Sequence, residues 1–188
     1  KTFPDCYALM PEIADQWGTH PLSSLAIMRS YPWHVNKTVL MGDAAHATVP
    51  FYGQGMNAGF EDCTVMWELM QKHNEDWDKV FEEYSVTRKP DGDALQELSL
   101  YNYLVMRDYV ADPKFLLRKK IEAKFSKLYP EKWMPLYSQV TFSDIRYSVA
   151  YAEGQRQIVM MDEIMAIPNI EEIWDSEEIM EKMKKLIA

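Results

Sequence analysis

Apolar residues recur every three or four positions from Gly59 almost to the end of the chain. This is the spacing of amphipathic helices, so the second part of the chain is predicted to be helical. Prolines divide the pattern, because a proline is tolerated at the start of a helix and disfavoured in its interior. Successive helices are expected at 60–70, 77–87, 90–109 and from Pro113, followed by a segment at 137–151 and one amphipathic tail helix at 171–188.

The pattern before Gly59 is shorter and more mixed. Residues 3–17 have helical spacing that ends at Gly18, and residues 22–31, bounded by two prolines, favour a strand. The compact apolar run 38–41 predicts a buried strand that leads into a loop at Gly42-Asp43. A short α/β beginning is therefore expected ahead of a long helical part.

Composition narrows the functional classes. The chain has 188 residues, of which 47% are hydrophobic and 26% charged, so it is neither disordered nor of low complexity. A formal charge of −9 argues against a nucleic-acid partner. No apolar run is long enough to span a bilayer, and Cys6 and Cys63, expected to be buried, form no framework of disulfides. A soluble protein of the cytoplasm is expected.

Four of the 7 glycines, Gly42, Gly53, Gly55 and Gly59, fall within residues 42–59. The G-x-G-x-x-G/A spacing found there does not follow a strand directly, so a first dinucleotide fingerprint is rejected. Instead, Gly42-Asp43 places a carboxylate after a strand, where it suits a ribose or ribityl hydroxyl. The second glycine pair opens a helix at about Met56, whose free N–H groups and positive dipole end suit an electron-rich ligand. A flat cofactor that becomes more negative on reduction fits both features.

These residues also carry a family resemblance. Gly42-Asp43-Ala44-Ala45-His46, then Pro50, Gly53-Gln54-Gly55-Met56-Asn57 and Glu61-Asp62, resembles the second FAD motif of the class A flavin-dependent aromatic hydroxylases. Further segments are similar to the branch of this family that acts on L-kynurenine, and they extend the resemblance over roughly residues 1–150. These segments are Thr2-Phe3-Pro4-Asp5, Tyr101-Asn102-Tyr103 with Met106-Arg107, Pro135-Leu136-Tyr137, and Val140-Thr141-Phe142-Ser143 with Ile145-Arg146-Tyr147.

The resemblance implies a fold and a place within a larger enzyme. Residues 1–35 would end the substrate domain with the last strand of its sheet, and 36–90 would form the C-terminal part of a Rossmann-like FAD domain. Residues 91–188 would form an all-α C-terminal domain that covers the substrate site. The glycine fingerprint that holds the ADP half of FAD is not in this sequence, so the chain is expected to be the C-terminal portion of a longer enzyme. Its N-terminal portion would be an obligatory partner, and a homodimer is possible.

The resemblance also implies the chemistry. NADPH would reduce FAD, O2 would add as a C4a-hydroperoxyflavin, and L-kynurenine would be hydroxylated to 3-hydroxykynurenine. A bacterial-type soluble form is implied, since the membrane-spanning tail of mitochondrial relatives has no counterpart here. The residues expected to bind cofactor are Asp43, Pro50, Gly53, Gly55, Met56 and Asn57, and those expected to bind substrate are Asn102, Tyr137, Phe51, Met106, Tyr52 and Gln54.

No residue is assigned as a general acid or base, because the aniline nitrogen of the substrate already activates its ring, and no metal site is expected. His46 is interpreted as structural, while Arg107 and Arg146 are either carboxylate ligands or partners in ion pairs. Two other functions stay open: a sibling flavin hydroxylase acting on another aromatic acid, and a non-catalytic helical interaction module.

Overall fold

The computed structural model describes residues 3–187, so Thr2 of the quoted N-terminal segment and Ala188 of the predicted tail helix lie outside it. The described part is mostly helical, and this agrees with the predicted fold class. Its helices are α1 (Pro4–Leu9), α2 (Ile13–Trp17), α3 (Asp43–His46), α4 (Gly55–Lys72), α5 (Trp77–Leu104), α6 (Pro113–Leu128), α7 (Leu136–Thr141), α8 (Tyr147–Met165), α9 (Ile170–Ile173) and α10 (Glu177–Leu186).

The strands are fewer and shorter than the sequence pattern predicts. Within residues 3–187 the sheet consists of β1 (His34–Val35) and β2 (Thr38–Val39), an antiparallel hairpin that pairs His34 with Val39. Asn36 makes its turn with a φ of 52°. The strand predicted over 22–31 is wrong, because this segment has no neighbouring strand here with which to form a ladder.

Pro90 does not begin a helix, contrary to the prediction. It lies inside α5, and the helix continues through it to Leu104 and then into a π-helical turn, Val105–Tyr109. Buried charged residues on both sides of Pro90, Arg88 and Asp91, are bonded to other helices. Tertiary contacts therefore keep the helix continuous at Pro90, a residue that local propensity alone would place at a helix boundary.

The predicted tail helix is divided into two. α9 ends at Ile173, and α10 begins after Ser176, whose hydroxyl accepts a hydrogen bond from the Ile179 N–H. This is an ordinary helix N-cap, and the pattern of apolar positions continues across it without revealing the break.

Three apolar cores hold the described residues together. The one that we call the C-terminal apolar core lies between α6, α8 and α10 and is centred on Phe125, Met161 and Ile164, each fully buried. A second core lies where α5 meets α7 and α8, and a third packs Trp33 against α4 and α5. The two α5 cores lie on either side of the glycine-rich segment and fix its position.

The segment before β1 contrasts with these cores. Leu9 and Trp17 are 84% and 80% exposed, and no residue of α1 or α2 is buried. Cys6 and Cys63 are exposed as well, so the prediction that they are buried is wrong. Among the described helices, none combines the length and the apolar character needed to cross a membrane.

Candidate functional site

Two tight turns shape the glycine-rich segment. Gly42 precedes α3 with a φ of 56°, and Gly53 precedes α4 with a φ of 67°. Residues that carry a Cβ atom rarely adopt a backbone conformation with positive φ, so any substitution of Gly42 or Gly53 would strain its turn. The first turn leaves the carboxylate of Asp43 exposed, without a hydrogen-bond partner among residues 3–187.

These turns border a cavity of about 540 Å³, which we call the glycine cavity. A Cβ atom added to Gly42 or Gly53 would contact nothing within 4 Å, so the backbone itself forms an open wall. Five of the six predicted cofactor residues lie here. The residues that line it are Gly42, Asp43, Thr48, Pro50, Gly53, Gly55, Met56 and Gly59.

The N-terminus of α4 points its free donors toward the same place. Its first intrahelical bond is donated by the Ala58 N–H to the Gln54 carbonyl oxygen. The N–H groups of Gly55, Met56 and Asn57 have no carbonyl partner in the described part of the chain. Such donors, added to the positive end of the helix dipole, favour a ligand with negative or electron-rich atoms.

Asn57 is the predicted cofactor residue that does not line the glycine cavity. Its side-chain amide donates to Gln54 Oε1 at 2.9 Å, and it faces a smaller cavity beside α7. Any contact of Asn57 with a ligand in the glycine cavity would have to come from its backbone N–H.

A second cavity of about 270 Å³ borders the loop 50–54 at Tyr52, and we call it the aromatic cavity. Three predicted substrate residues, Tyr52, Asn102 and Tyr137, contribute to its wall. Tyr52 and Tyr137 stack with ring centroids 5.6 Å apart. Burial, together with the neighbouring Tyr101 and Tyr137, raises the pKa of Tyr52, so its hydroxyl stays neutral.

Asn102 and Tyr137 leave polar atoms available to a ligand. The Asn102 side-chain amide donates to the Phe51 carbonyl oxygen at 2.7 Å, which ties α5 to the loop 50–54. The Asn102 Oδ1 and the Tyr137 hydroxyl form no hydrogen bond within residues 3–187. Arg118 and Lys119 line this cavity too, and both are paired with Glu122.

The other three predicted substrate residues lie outside the aromatic cavity. Phe51 packs on Tyr103, with ring centroids 4.6 Å apart, and Met106 lies on the π-helical turn, 55% exposed. Gln54 accepts a hydrogen bond from the Tyr147 hydroxyl at 3.3 Å, and burial raises the pKa of this tyrosine to about 12. Phe51 and Gln54 belong to the loop 50–54 itself, and Met106 contacts Asn102, so the three residues shape the region without lining the cavity.

Sequence reasoning missed a set of ion pairs beside the glycine cavity, in which Asp62, Arg88 and Asp91 are buried. We call Glu61, Asp62, Arg88, Asp91 and Arg146 the charged cluster. Arg88 donates to Asp62 Oδ1 and Glu61 Oε2 at 2.9 Å each and to Asp91 Oδ2 at 3.2 Å. One signal for these charges was present in the sequence: Arg88 and Asp91 share a helix face and directly precede Gly92. A glycine inside a helix indicates close packing, so charges beside it are candidates for burial.

Asp62 connects this cluster to the cofactor-side turn. Its Oδ2 accepts the Gly42 N–H at 2.9 Å and lies 2.7 Å from His46 Nε2, and both side chains are buried. Burial alone would raise the pKa of Asp62, but the hydrogen bonds from His46 and Gly42 and the charge of Arg88 lower it overall. Asp62 is therefore an anion at neutral pH, and His46 has a structural contact.

The two arginines left open by the sequence are both in ion pairs. Arg107 pairs with the adjacent Asp108, 2.6 Å from Nη2 to Oδ2, and its guanidinium lies over the Tyr103 ring. Arg146 donates to Asp91 Oδ2 at 2.8 Å and to the Thr87 carbonyl oxygen at 2.7 Å.

Comparison with known proteins bears on both cavities. Residues 22–99, which include the whole glycine cavity, match the family model described as an FAD binding domain. A protein of Flavobacterium johnsoniae named kynurenine 3-monooxygenase is 50% identical over all 188 residues. The chain is similar to kynurenine 3-monooxygenases along its whole length. The resemblance that its motifs predict is thereby confirmed.

The similarity extends across distant bacteria. The kynurenine 3-monooxygenase of Christiangramia forsetii is 50% identical over 188 residues, which is 100% of this chain and 42% of that protein. That of Myxococcus xanthus is 38% identical over 173 residues, which is 91% of this chain and 37% of that protein. The chain also spans 42% of the Flavobacterium johnsoniae protein, so it covers less than half the length of each of these three relatives.

Proposed function

We propose that this chain is the C-terminal part of an FAD-dependent, NADPH-using monooxygenase that converts L-kynurenine to 3-hydroxykynurenine. The observation that carries the proposal is the position of the loop 50–54. Pro50 and Gly53 line the glycine cavity, and Tyr52 lines the aromatic cavity. A cofactor and a substrate in these cavities would both contact the loop 50–54 and would therefore lie next to each other, and transfer of an oxygen atom between them requires this proximity.

The glycine cavity fits the flavin part of FAD. Part of its wall is bare backbone at Gly42 and Gly53, which allows a flat ring system to approach closely. The free N–H groups at the start of α4 suit the electron-rich edge of such a ring, and the free carboxylate of Asp43 suits a ribityl hydroxyl. When bound, the flavin would supply the redox chemistry and the activation of O2.

The aromatic cavity fits kynurenine, an aromatic amino acid. The stacked rings of Tyr52 and Tyr137 offer a flat apolar surface, and the free Asn102 Oδ1 suits an ammonium group. The free Tyr137 hydroxyl suits either end of the amino-acid group. The loop 50–54, held by Asn102, would keep water out of the space between substrate and flavin.

The predicted division into domains at 35/36 and 90/91 stays part of the proposal. α6 and α8 supply much of the wall of the aromatic cavity, including Phe115, Arg118 and Gln157, which supports a cover made by residues 91–188. The N-terminal portion of the enzyme, a homodimer and a cytoplasmic location likewise stay predictions.

The experiment uses the complete enzyme, with the segment that its relatives have in addition. NADPH oxidation should be stimulated by L-kynurenine and not by simple hydroxybenzoates, and 3-hydroxykynurenine should be formed. Stimulation by hydroxybenzoates instead would indicate a sibling hydroxylase. A colourless protein that cannot be reconstituted with FAD would indicate a non-catalytic module.

A variant pair tests the aromatic cavity. Tyr137→Phe keeps the stacking on Tyr52 and removes only the free hydroxyl, so KM for kynurenine should rise about 10-fold or more while the flavin spectrum is unchanged. The matched control is Tyr103→Phe, since that hydroxyl contacts Arg107 outside the cavity. Equal effects of the two substitutions would contradict the assignment.

A further inference from the structure

The turn at Gly42 needs an explanation that its own residues do not supply. Its φ of 56° is maintained although α3, which follows it, has only four residues. A helix this short contributes little stability of its own, because nucleation is costly and few backbone bonds are gained. The turn must therefore be held from outside.

Asp62 is the external group in contact with the turn. It lies on the well-packed helix α4, is fully buried, and its Oδ2 accepts the Gly42 N–H at 2.9 Å. His46, at the other end of α3, bonds to the same oxygen at 2.7 Å. One carboxylate thus fixes both ends of the short helix whose first residue is Asp43.

The charged cluster in turn fixes Asp62. Arg88 holds its other oxygen at 2.9 Å and is itself bonded to Asp91. Asp91 accepts from the Ser148 hydroxyl and backbone N–H at the start of α8, at 2.6 and 3.1 Å. Because α8 also lines the aromatic cavity, the turn is tied to the substrate side through directional bonds.

We propose that Asp62 is a positioning residue for the cofactor: it holds the Gly42-Asp43 turn in its ligand-binding shape before the flavin arrives. This inference rests on the proposed function and adds a residue to it. Asp62 does not itself line the glycine cavity, and it acts on the cavity wall through Gly42 and His46. A turn ordered in advance lowers the conformational entropy that binding would otherwise cost.

The test compares two neighbouring substitutions in the complete enzyme. Asp62→Asn removes the charge and leaves one acceptor oxygen for its three partners, whereas the matched control Glu61→Gln weakens only a half-exposed ion pair with the same Arg88. The Kd for FAD, measured by quenching of flavin fluorescence, should rise at least 10-fold in Asp62→Asn and less than about 3-fold in Glu61→Gln. The fine structure of the flavin absorption band should change in Asp62→Asn alone.

A merely structural role would lower the melting temperature of the cofactor-free protein and leave the Kd of the folded fraction unchanged. That result would overturn the proposal. If the wild-type enzyme does not bind FAD at all, the proposed function is wrong instead. The two failures are therefore distinguishable.

A second measurement needs no variant and applies even if Asp62→Asn does not fold. In the cofactor-free wild type, hydrogen exchange of the peptide covering 40–46 should already be slow, and added FAD should slow it less than about 3-fold. Rapid exchange there that becomes slow only with FAD would show that the turn is not ordered in advance, and this too would overturn the proposal.

Discussion

Two regions of this molecule are held together in opposite ways. The charged cluster joins α4, α5 and α8 through hydrogen bonds and ion pairs centred on the buried Asp62, Arg88 and Asp91. The C-terminal apolar core joins α6, α8 and α10 through side chains without charge. Hydrophobic contacts are non-directional and tolerate small shifts, whereas hydrogen bonds fix distances and angles. The directional region is the one next to the glycine cavity, where a backbone turn has to keep one shape.

The largest expected effect comes from removing the centre of the charged cluster. Arg88→Met leaves the buried carboxylate of Asp62 without its arginine and that of Asp91 with Arg146 alone, which should lower the free energy of unfolding by about 3–5 kcal/mol. Urea unfolding at pH 7 measures it. Arg156→Met is the control, since that half-exposed pair with Glu153 is expected to contribute no more than about 1 kcal/mol. An equal loss of stability in Arg88→Met and Arg156→Met would mean that the charged cluster is no more important than an ordinary surface ion pair.

A comparable effect is expected in the C-terminal apolar core, from a different cause. Phe125→Ala opens a cavity among fully buried side chains and should lower the free energy of unfolding by about 3–5 kcal/mol. Because no charge is involved, the loss should be the same at pH 5 and pH 8. Phe142→Ala, at a residue 76% exposed, should change stability by less than about 0.5 kcal/mol. A strongly pH-dependent loss in Phe125→Ala would contradict this account.

A smaller effect is expected where α5 passes the glycine segment. A Cβ on Gly92 would lie 2.8 Å from the Trp33 ring and 3.0 Å from His46 Cβ, so Gly92→Ala should cost about 1–3 kcal/mol. In Gly154→Ala the clash is with the flexible end of Leu136, which can move aside. The helix-propensity gain of about 1 kcal/mol should then offset much of the cost. The melting temperatures of the two variants compare these costs. A larger decrease in melting temperature for Gly154→Ala than for Gly92→Ala would contradict this prediction.

Acid pH is expected to weaken the charged cluster through Asp62, and this is the smallest of the effects near neutral pH. The pKa of Asp62 is lower in the folded protein than its ordinary value of 3.8. Its contribution to stability is therefore complete above that value and is lost as the pH falls through the folded pKa. The difference in unfolding free energy between wild type and Asp62→Asn should be constant from pH 5 to 8 and shrink below about pH 4. A difference that shrinks already between pH 7 and 5 would contradict this assignment.

Much of the helical architecture could be predicted from spacing and prolines. Asp112-Pro113 starts α6, and Pro130 and Pro135 separate it from α7, as the pattern indicates. Pro90 misled the prediction, because buried partners of Arg88 and Asp91 outweigh the local cost of a proline. The strand predicted at 22–31 failed for a related reason: a strand requires a partner strand, which local sequence does not report.

The candidate site divides in the same way. Glycine spacing pointed to Asp43, Gly53, Gly55 and Met56, and the resemblance added Pro50. All five line one cavity in the structure, since they lie close together in the chain. Tyr52, Asn102 and Tyr137 are far apart in the chain. From the sequence, only the family resemblance assigned them to one site, and the fold brings them together around the aromatic cavity.

The sequence by itself determined the helical class, the glycine turns and the resemblance to a flavin enzyme, because each is carried by short stretches of neighbouring residues. The tertiary structure decided which charges are buried, that Asp62 holds Gly42, and that one loop borders both cavities. These features depend on groups brought together from α4, α5 and α8, and on the loss of water around them. Away from water, Asp62, Arg88 and Asp91 form hydrogen bonds that fix their relative positions. No pattern along the chain indicates which aspartates and arginines will be buried in this way.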